Sequence, residues 1–392
     1  MILSLALVCG AIYVSRTALY PLFPVIAADL GISSAQVGFL SGVYFMLYTL
    51  FQVPTGLLMD RLGTKRCLTV GFVLSSLALA GAALWGNSYY KLLFFFGVQG
   101  FGDSFYYAGT QGTVATHTPQ ERRAIASALL GIGMAIGILV GLGFSHMLYV
   151  ALEGYRLPFL LLGILRFAAT CVMWRFVPDV PSAPVRTGIK DYFPLFRDSV
   201  IWRISGVTFC LMYGFWVMIN WGPTFLGAER GFVAEQAGFY SGLIAIASIP
   251  GAIAWGSLSN RIGPKAVLTA ALPLSGVFLF ALVKVGASYP LIVLSLLAFG
   301  FCTNMAVIPV CTVWISRIAA RRYPGKTVGA IAFYNCVVVS SGIVAPVLSG
   351  FIRDLSSSLS GAIYLAAGCM LLSTLLLFGI DTKREVYTDG TT

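Results

Sequence analysis

The chain is poor in charge and poorest in acid. Asp and Glu together number 14 of 392 residues, charged residues of either sign make up 10%, and there are two histidines. Soluble proteins carry roughly 25% charged residues, so a soluble globular enzyme is excluded. His117 and His146 lie at opposite ends of their apolar runs, which leaves no two-histidine metal site and no nucleophile–histidine pairing. No G-x-S-x-G elbow occurs, and residues 320–327 (Ala-Arg-Arg-Tyr-Pro-Gly-Lys-Thr) imitate a phosphate loop but lack its first glycine and any preceding strand. The eight cysteines are scattered, and all but Cys67 fall within apolar runs, a pattern of neither a disulfide framework nor a zinc site. No N-x-S/T glycosylation acceptor is present, which favours a bacterial inner membrane. No cofactor and no metal are expected.

What is abundant is apolar surface. Hydrophobic residues are 58% of the chain and glycines number 43, as expected where membrane helices approach closely through small residues. About 20 apolar residues cross a bilayer, and the apolar runs predict twelve spans at 3–28, 35–59, 66–86, 91–117, 122–147, 156–177, 200–226, 235–260, 265–286, 288–316, 327–352 and 359–380. The fold class is an all-α membrane protein of twelve transmembrane helices in two six-helix halves, 1–177 and 200–392. They are joined by the polar stretch 178–199, read as a cytoplasmic linker. The first run is read as a retained helix because it has no small-residue cleavage site. Of the 25 Lys and Arg, 18 fall in or beside loops on the side of the N-terminus and five toward the other side. The positive-inside rule then puts both termini in the cytoplasm, and the net charge of +11 needs no nucleic acid to explain it.

An internal repeat appears at an offset of 200 residues. Residues 36–42 (Gln-Val-Gly-Phe-Leu-Ser-Gly) align with 236–242 (Gln-Ala-Gly-Phe-Tyr-Ser-Gly), and Gly56, Leu58, Arg61, Gly63, Lys65 and Leu68 match Gly256, Leu258, Arg261, Gly263, Lys265 and Leu268. An even number of spans per copy makes the copies parallel, the arrangement of secondary transporters that hold substrate near the midplane.

The loop after the second span, residues 56–66 (Gly-Leu-Leu-Met-Asp-Arg-Leu-Gly-Thr-Lys-Arg), resembles the signature G-x-L-x-D-R-x-G-x-[KR]-[KR] of the major facilitator superfamily. The resemblance implies a conformational latch formed by Gly56, Asp60, Arg61, Gly63 and Lys65, with Asp60 meeting a helix N-terminus and Arg122 or Arg123. The second copy has Asn260 before Arg261, and a weaker latch is expected there. Within the superfamily the chain is similar to the anion:cation symporters, on Ser15-Arg16, residues 29–33 (Asp-Leu-Gly-Ile-Ser), residues 220–226 (Asn-Trp-Gly-Pro-Thr-Phe-Leu), Asn335 and Pro346. It departs from them at Ser15, where that group has Asp, and at Phe96, where it has Arg.

Three ionisable residues remain near mid-bilayer once loops and span ends are assigned: Arg16, Asp103 and Arg166. Such residues are functional-site candidates by default. Arg16 and Asp103 both come out about 20 Å deep at 1.5 Å per residue. The resemblance places both on cavity-lining spans and puts Asp103 where the symporters have a proton-coupling glutamate. An anion at Arg16 would remove that cation's hold on Asp103 and favour proton uptake. A structural Arg16–Asp103 ion pair is the alternative. Arg166, on the sixth span, is expected to be structural or lipid-facing, snorkelling toward the cytoplasm.

Helical spacing around these residues nominates further substrate contacts. They are Tyr13 and Tyr20 beside Arg16, Tyr44 and Tyr48 on the second span, Tyr107 and Gln111 after Asp103, and Tyr213, Trp216 and Asn220 on the seventh, with Asn304, Tyr334 and Asn335 completing a polar midplane. The repeat mate of Arg16 is Trp216 and that of Asp103 is Thr303. With one arginine where organophosphate exchangers of the superfamily have one in each half, the substrate is expected to be a carboxylate of low charge. The function expected is proton-driven uptake of a small organic anion by a monomer in the bilayer. The alternatives are an efflux exchanger of a drug-like or metabolite substrate, and a transporter-like sensor that moves nothing.

Overall fold

Proline decides where the first span stops being one helix. In the computed structural model, which describes residues 1–179, 194–323 and 327–380 and leaves aside the side chains of 60, 120, 124, 195, 304 and 328, that span is α1 (Ile2–Thr17), a 3₁₀ turn and α2 (Phe23–Leu30). Pro21 and Pro24 lack the N–H that would continue the ladder. A capping box then starts α3 (Ser34–Leu62): the Gln36 amide donates to Ser33 Oγ at 3.2 Å, and Gln36 Oε1 accepts from the Ser33 amide at 2.9 Å. Gly63, at φ +92°, ends it, a backbone conformation that favours glycine.

The chain continues through α4 (Thr64–Trp85), α5 (Tyr89–Asp103), α6 (Tyr106–His117), α7 (Arg123–Ala151) and α8 (Arg156–Phe176). After the linker come α9 (Ser199–Arg230), α10 (Ala234–Ile262), α11 (Pro264–Lys284), α12 (Tyr289–Cys302), α13 (Asn304–Arg322), α14 (Thr327–Val339), α15 (Ser341–Ser356) and α16 (Ser360–Phe378). Among the described residues, eleven stretches are long and apolar enough to cross a membrane. The expected fourth span is divided into α5 and α6, each too short alone. Most of the expected linker, at 180–193, and the tail beyond 380 lie outside the described residues.

Two compact units form. One holds Met1–Arg186, Trp216–Ile246 and Gly342–Gly361; the other holds Thr187–Phe215, Ala247–Ser341 and Ala362–Thr392. In the first, α1 lies along α7 through facing glycines: a Cβ on Gly137 would meet the Gly10 carbonyl, and one on Gly141 would meet Thr17. Gly100 does the same between α5 and α3, where a Cβ would collide with the Tyr44 carbonyl. That close approach sets Tyr44 beside the end of α5. Asp354 accepts from the Ser34 and Ala35 amides, both at 2.8 Å, a carboxylate at the positive end of α3.

In the second unit, Asp198 caps α9 by accepting from the Val200 amide at 2.8 Å. The same carboxylate takes Arg322 Nη1 at 3.0 and 3.2 Å and the Tyr323 hydroxyl at 2.9 Å. Arg322 is the repeat mate of Arg122. Asn260, the mate of Asp60, is exposed, so the acid that meets this arginine comes from the start of α9 instead of from the repeat.

Burial alone would raise the Asp198 carboxyl; the hydrogen bonds from Arg322, Tyr323 and two backbone amides outweigh it and hold the group below its ordinary range. A carboxyl whose folded value lies below its unfolded value stabilises the fold above the unfolded value of about 4, and loses that contribution as pH falls through the folded one. Asp198→Asn should therefore melt below wild type by a margin that is constant from about pH 7.5 to about pH 5 and narrows below about pH 4, measured by thermal unfolding of the purified protein. A margin that widens on acidification would contradict the assignment.

Candidate functional site

Asp103 is the last residue of α5. A carboxylate there faces the negative end of its own helix, and it is 0% exposed. It persists because it is surrounded by donors. Arg166 of α8 holds it with both terminal nitrogens, Nη1 to Oδ2 at 3.2 Å and Nη2 to Oδ1. The Tyr44 hydroxyl donates to Oδ2 at 2.6 Å, and the Ser75 hydroxyl of α4 stands 3.0 Å from Oδ1. Arg166 Nη1 also reaches Ser15 Oγ at 3.2 Å, at the position where the symporter resemblance expects an acid. Forked guanidinium–carboxylate pairing of this kind is the strong form of a charge-assisted hydrogen bond.

Arg166 therefore corrects the expectation of a peripheral, snorkelling side chain. It is 1% exposed and sits ten residues from either end of α8, about 15 Å at 1.5 Å per residue. Its side chain cannot reach either end from there. Phe96, where the resemblance expects an arginine, packs edge-on against Phe159 of the same α8, 5.9 Å between ring centres. The cation expected on the fourth span is supplied to Asp103 from the sixth.

Arg16 is held differently. Its Nη2 lies 3.9 Å from Asp103 Oδ2, within ion-pair range but beyond hydrogen bonding. It is 6% exposed, and its Nε and Nη2 have no hydrogen-bond partner. Aromatic rings surround the guanidinium instead: Tyr13 at 4.6 Å, Tyr44 at 4.8 Å, Tyr48 at 5.4 Å and Phe45 at 5.5 Å to the ring centres. Phe45 packs in turn on Trp216 at 4.5 Å. Arg16 stands in the last turn of α1, where the helix dipole favours a cation.

The break at Asp103 has a repeat mate. α12 ends at Cys302, Thr303 leaves helical geometry, and α13 begins at Asn304. Ser75 Oγ lies 3.1 Å from the Gln99 carbonyl near the first break, and Ser275 Oγ, its mate, lies 2.9 Å from the Cys302 carbonyl at the second. Interrupted helices at corresponding positions of two repeats are the best local pointer to a transporter's binding site.

Of the nominated residues, the first unit brings together Arg16, Tyr13, Tyr20, Tyr44, Tyr48, Asp103 and Trp216. Asn220 is fully buried and donates to the Trp216 carbonyl of its own helix at 2.9 Å. Tyr107 is half-buried within electrostatic reach of Tyr13 and Tyr48, and Tyr106 also lies beside Tyr13, at 6.1 Å. Gln111 accepts from Ser127 of α7 at 3.1 Å. Tyr213, Tyr334 and Asn335 belong to the second unit, the two tyrosines buried. The side chains of Asn304 and Asp60 lie outside the described residues. Of the other latch residues, Arg61, Arg122, Arg123 and Arg261 are exposed, Arg123 Nε donates to the Thr118 carbonyl at 3.1 Å, and Lys65 sits 4.6 Å over Trp174. Gly56 has open space around it. Sequence reasoning did not single out Ser75 or Gln99, which are lone neutral polar residues in apolar runs.

Residues 5–342 match the profile of the Major Facilitator Superfamily. The chain belongs to that superfamily. It is similar to a putative tartrate transporter of Agrobacterium vitis, 24% identical over 89% of this chain and 82% of that one. It is also similar to the hexuronate transporter of Bacillus subtilis, 25% identical over 93% and 90%. Among solved structures, a bacterial homolog of the human lysosomal transporter Spinster, in an inward-facing and occupied conformation, superimposes with a TM-score of 0.80 at 16% identity, over 100% of this chain and 98% of that one. This facilitator is a multi-pass membrane transporter and not an enzyme.

Removing one partner of a buried pair leaves the other charge uncompensated, at a cost of about 3–5 kcal/mol. Arg166→Gln in this transporter should lower the yield of folded, monodisperse protein and its melting temperature sharply. The double variant Arg166→Gln/Asp103→Asn should recover most of both, and no recovery would remove Asp103 as the reason Arg166 is there.

Proposed function

We propose that the protein takes up a small organic anion of low charge by alternating access, with Arg16 as the ligand for the anion. The observation that carries this reading is the guanidinium of Arg16, buried with two of its nitrogens, Nε and Nη2, making no hydrogen bond. Aromatic faces stabilise a desolvated cation by up to about 2 kcal/mol, but they accept no strong hydrogen bond from those donors. A carboxylate would supply charge-assisted bonds to both. Charge counting supports low charge: Arg16, Arg166 and Asp103 sum to +1, so one negative charge brings the cluster to neutrality. The tartrate and hexuronate transporters among the relatives are consistent with an organic anion. The distribution of Lys and Arg supports a cell membrane with both termini in the cytoplasm.

Proton coupling is assigned to Asp103 on the same geometry. Arg16 touches Asp103 only at ion-pair range, so an anion can draw it away while Arg166 and Tyr44 keep the carboxyl in place. The loss of one neighbouring cation then favours a proton on Asp103, and anion and proton move together.

The test is transient current in proteoliposomes under an imposed proton gradient, challenged with mono- and dicarboxylates. Wild type should respond to both gradient and ligand. Arg16→Gln should fold normally and weaken anion binding by about 2–5 kcal/mol, a loss of at least tens-fold in apparent affinity. Asp103→Asn leaves Arg166 uncompensated and should melt lower, and its folded fraction should keep anion exchange and lose proton-driven accumulation. Silence of folded wild type across the panel would replace this reading with efflux of a neutral or cationic substrate. Loss of anion exchange as well as accumulation in the folded fraction of Asp103→Asn would assign the carboxylate to structure alone.

A further inference from the structure

Gln99 stands on α5 one turn before Asp103. Its side chain is 2% exposed and its Nε2 has no hydrogen-bond partner. A polar group buried in that way costs about 1–3 kcal/mol, so its presence at this position asks for an acceptor. Arg16, on a different helix, has the same property in Nε and Nη2.

Both residues line one small cavity of ≈ 10 Å³, together with Leu19, Tyr20, Leu40, Ser41, Tyr44 and Phe96. A space of that size accommodates about one water-sized oxygen. Helices α1 and α5 thus each bring a side chain with unpartnered donors to the wall of one small space, which has to widen to take a carboxylate. The Ser41 hydroxyl reaches the Tyr20 hydroxyl at 3.4 Å across the same wall, so the neighbouring hydroxyls do not satisfy the amide. The Gln99 backbone is fixed by Ser75, 3.1 Å from its carbonyl, and the tight seat of Gly100 against Tyr44 sets the helix at this point.

We propose that Gln99 is a specificity-determining residue of the anion site, its amide donating to one oxygen of a carboxylate whose other oxygen is held by Arg16. The inference rests on the assignment of Arg16 to the anion and adds the chemical class of the group recognised. A carboxylate presents two coplanar acceptors, one for the guanidinium and one for the amide. The rest of the ligand lies toward the rings of Tyr20 and Tyr44, which must part to admit it.

The experiment uses full-length protein and a panel of sodium acetate, lactate, tartrate and glucuronate, with binding read as the ligand-dependent rise in melting temperature and transport read in proteoliposomes. Gln99→Met, close in volume, should weaken binding of the best wild-type ligand by about tenfold to a hundredfold, the worth of a hydrogen bond to a charged group, with the unliganded melting temperature unchanged or raised. Gln99→Glu sets a carboxylate against Arg16 and should abolish binding while leaving the protein folded. Equal binding by wild type and Gln99→Met overturns the role of Gln99 and leaves the cavity to a water. No binding by wild type to any of the four overturns the reading of Arg16 instead. A fall in the unliganded melting temperature of both variants, with ligand affinity intact in what remains folded, makes Gln99 a packing residue and also overturns the proposal.

Discussion

The site depends on one carboxylate held where a helix least favours it. Asp103 ends α5, fully buried, against the partial negative charge of its own helix terminus. Its stability comes from outside the helix: Arg166 on α8, Tyr44 on α3 and Ser75 on α4 all converge on two oxygens. Four helices are tied at one point. The packing of α5 on α3 through Gly100, and the break that follows Asp103, are the geometric terms on which those donors reach it. Of the two arginines near it, one is consumed by this task and one is not. Arg166 uses both terminal nitrogens on Asp103, whereas Arg16 stays at 3.9 Å among aromatic rings. Arg166 leaves only its Nε without a partner, whereas Arg16 leaves both Nε and Nη2, and the engagement of the terminal nitrogens, more than depth or charge, separates the structural cation from the available one.

The repeat shows how one scaffold accepts unequal chemistry. Both copies interrupt the fourth helix of their set, near 103 and at 303, and both bring a serine from the preceding helix, Ser75 or Ser275, to a carbonyl near the interruption. The first copy fills the break with an ion cluster; the second has Thr303, whose hydroxyl has no partner. The backbone device is shared while the charge is confined to the first copy. The cytoplasmic acids diverge in a similar way. Asn260 leaves the second copy without its repeat acid, and Arg322 is met by Asp198 from the start of α9, so the arginine keeps an acidic partner although the repeat position no longer supplies one.

Most of the helical layout was legible because a membrane span is a statement about length and hydropathy, and both are written locally. The break at Asp103 was not. It contains no proline, and the i+4 projection from Asp103 passed over Tyr106, which the interrupted helix sets beside Tyr13. Arg166 was visible as a mid-membrane charge, and its distance from both ends of the sixth span already argued against snorkelling; its partner required knowing which face of α8 meets α5. Ser75 and Gln99 could not be told from ordinary packing residues, since a single neutral polar side chain in an apolar run has no pattern. Their roles depend on what lies opposite, and an unpartnered N–H exists only in three dimensions. Asp198 was assigned to the linker as one more loop charge, and its triple engagement with a cap, an arginine and a tyrosine depends on the fold of the second unit.

The two departures from the anion:cation symporter pattern act together on charge. That pattern has an acid at 15, cations at 16 and 96 and an acid at 103, which balance. Here Ser15 and Phe96 remove one charge of each sign, and Arg166 restores a cation without restoring an acid. Ser15 instead accepts from Arg166 at 3.2 Å, a neutral contact in place of a charged one. The cluster is left one positive charge in excess, at a depth where an uncompensated charge is costly. The excess is located on Arg16, since Arg166 and Asp103 cancel through their forked pair. Under the proposed reading the missing counter-charge is the substrate. A second acid at position 15 would neutralise the cluster in the unloaded protein and weaken its demand for an anion, so the serine is as much a part of the site's charge selectivity as the arginine beside it.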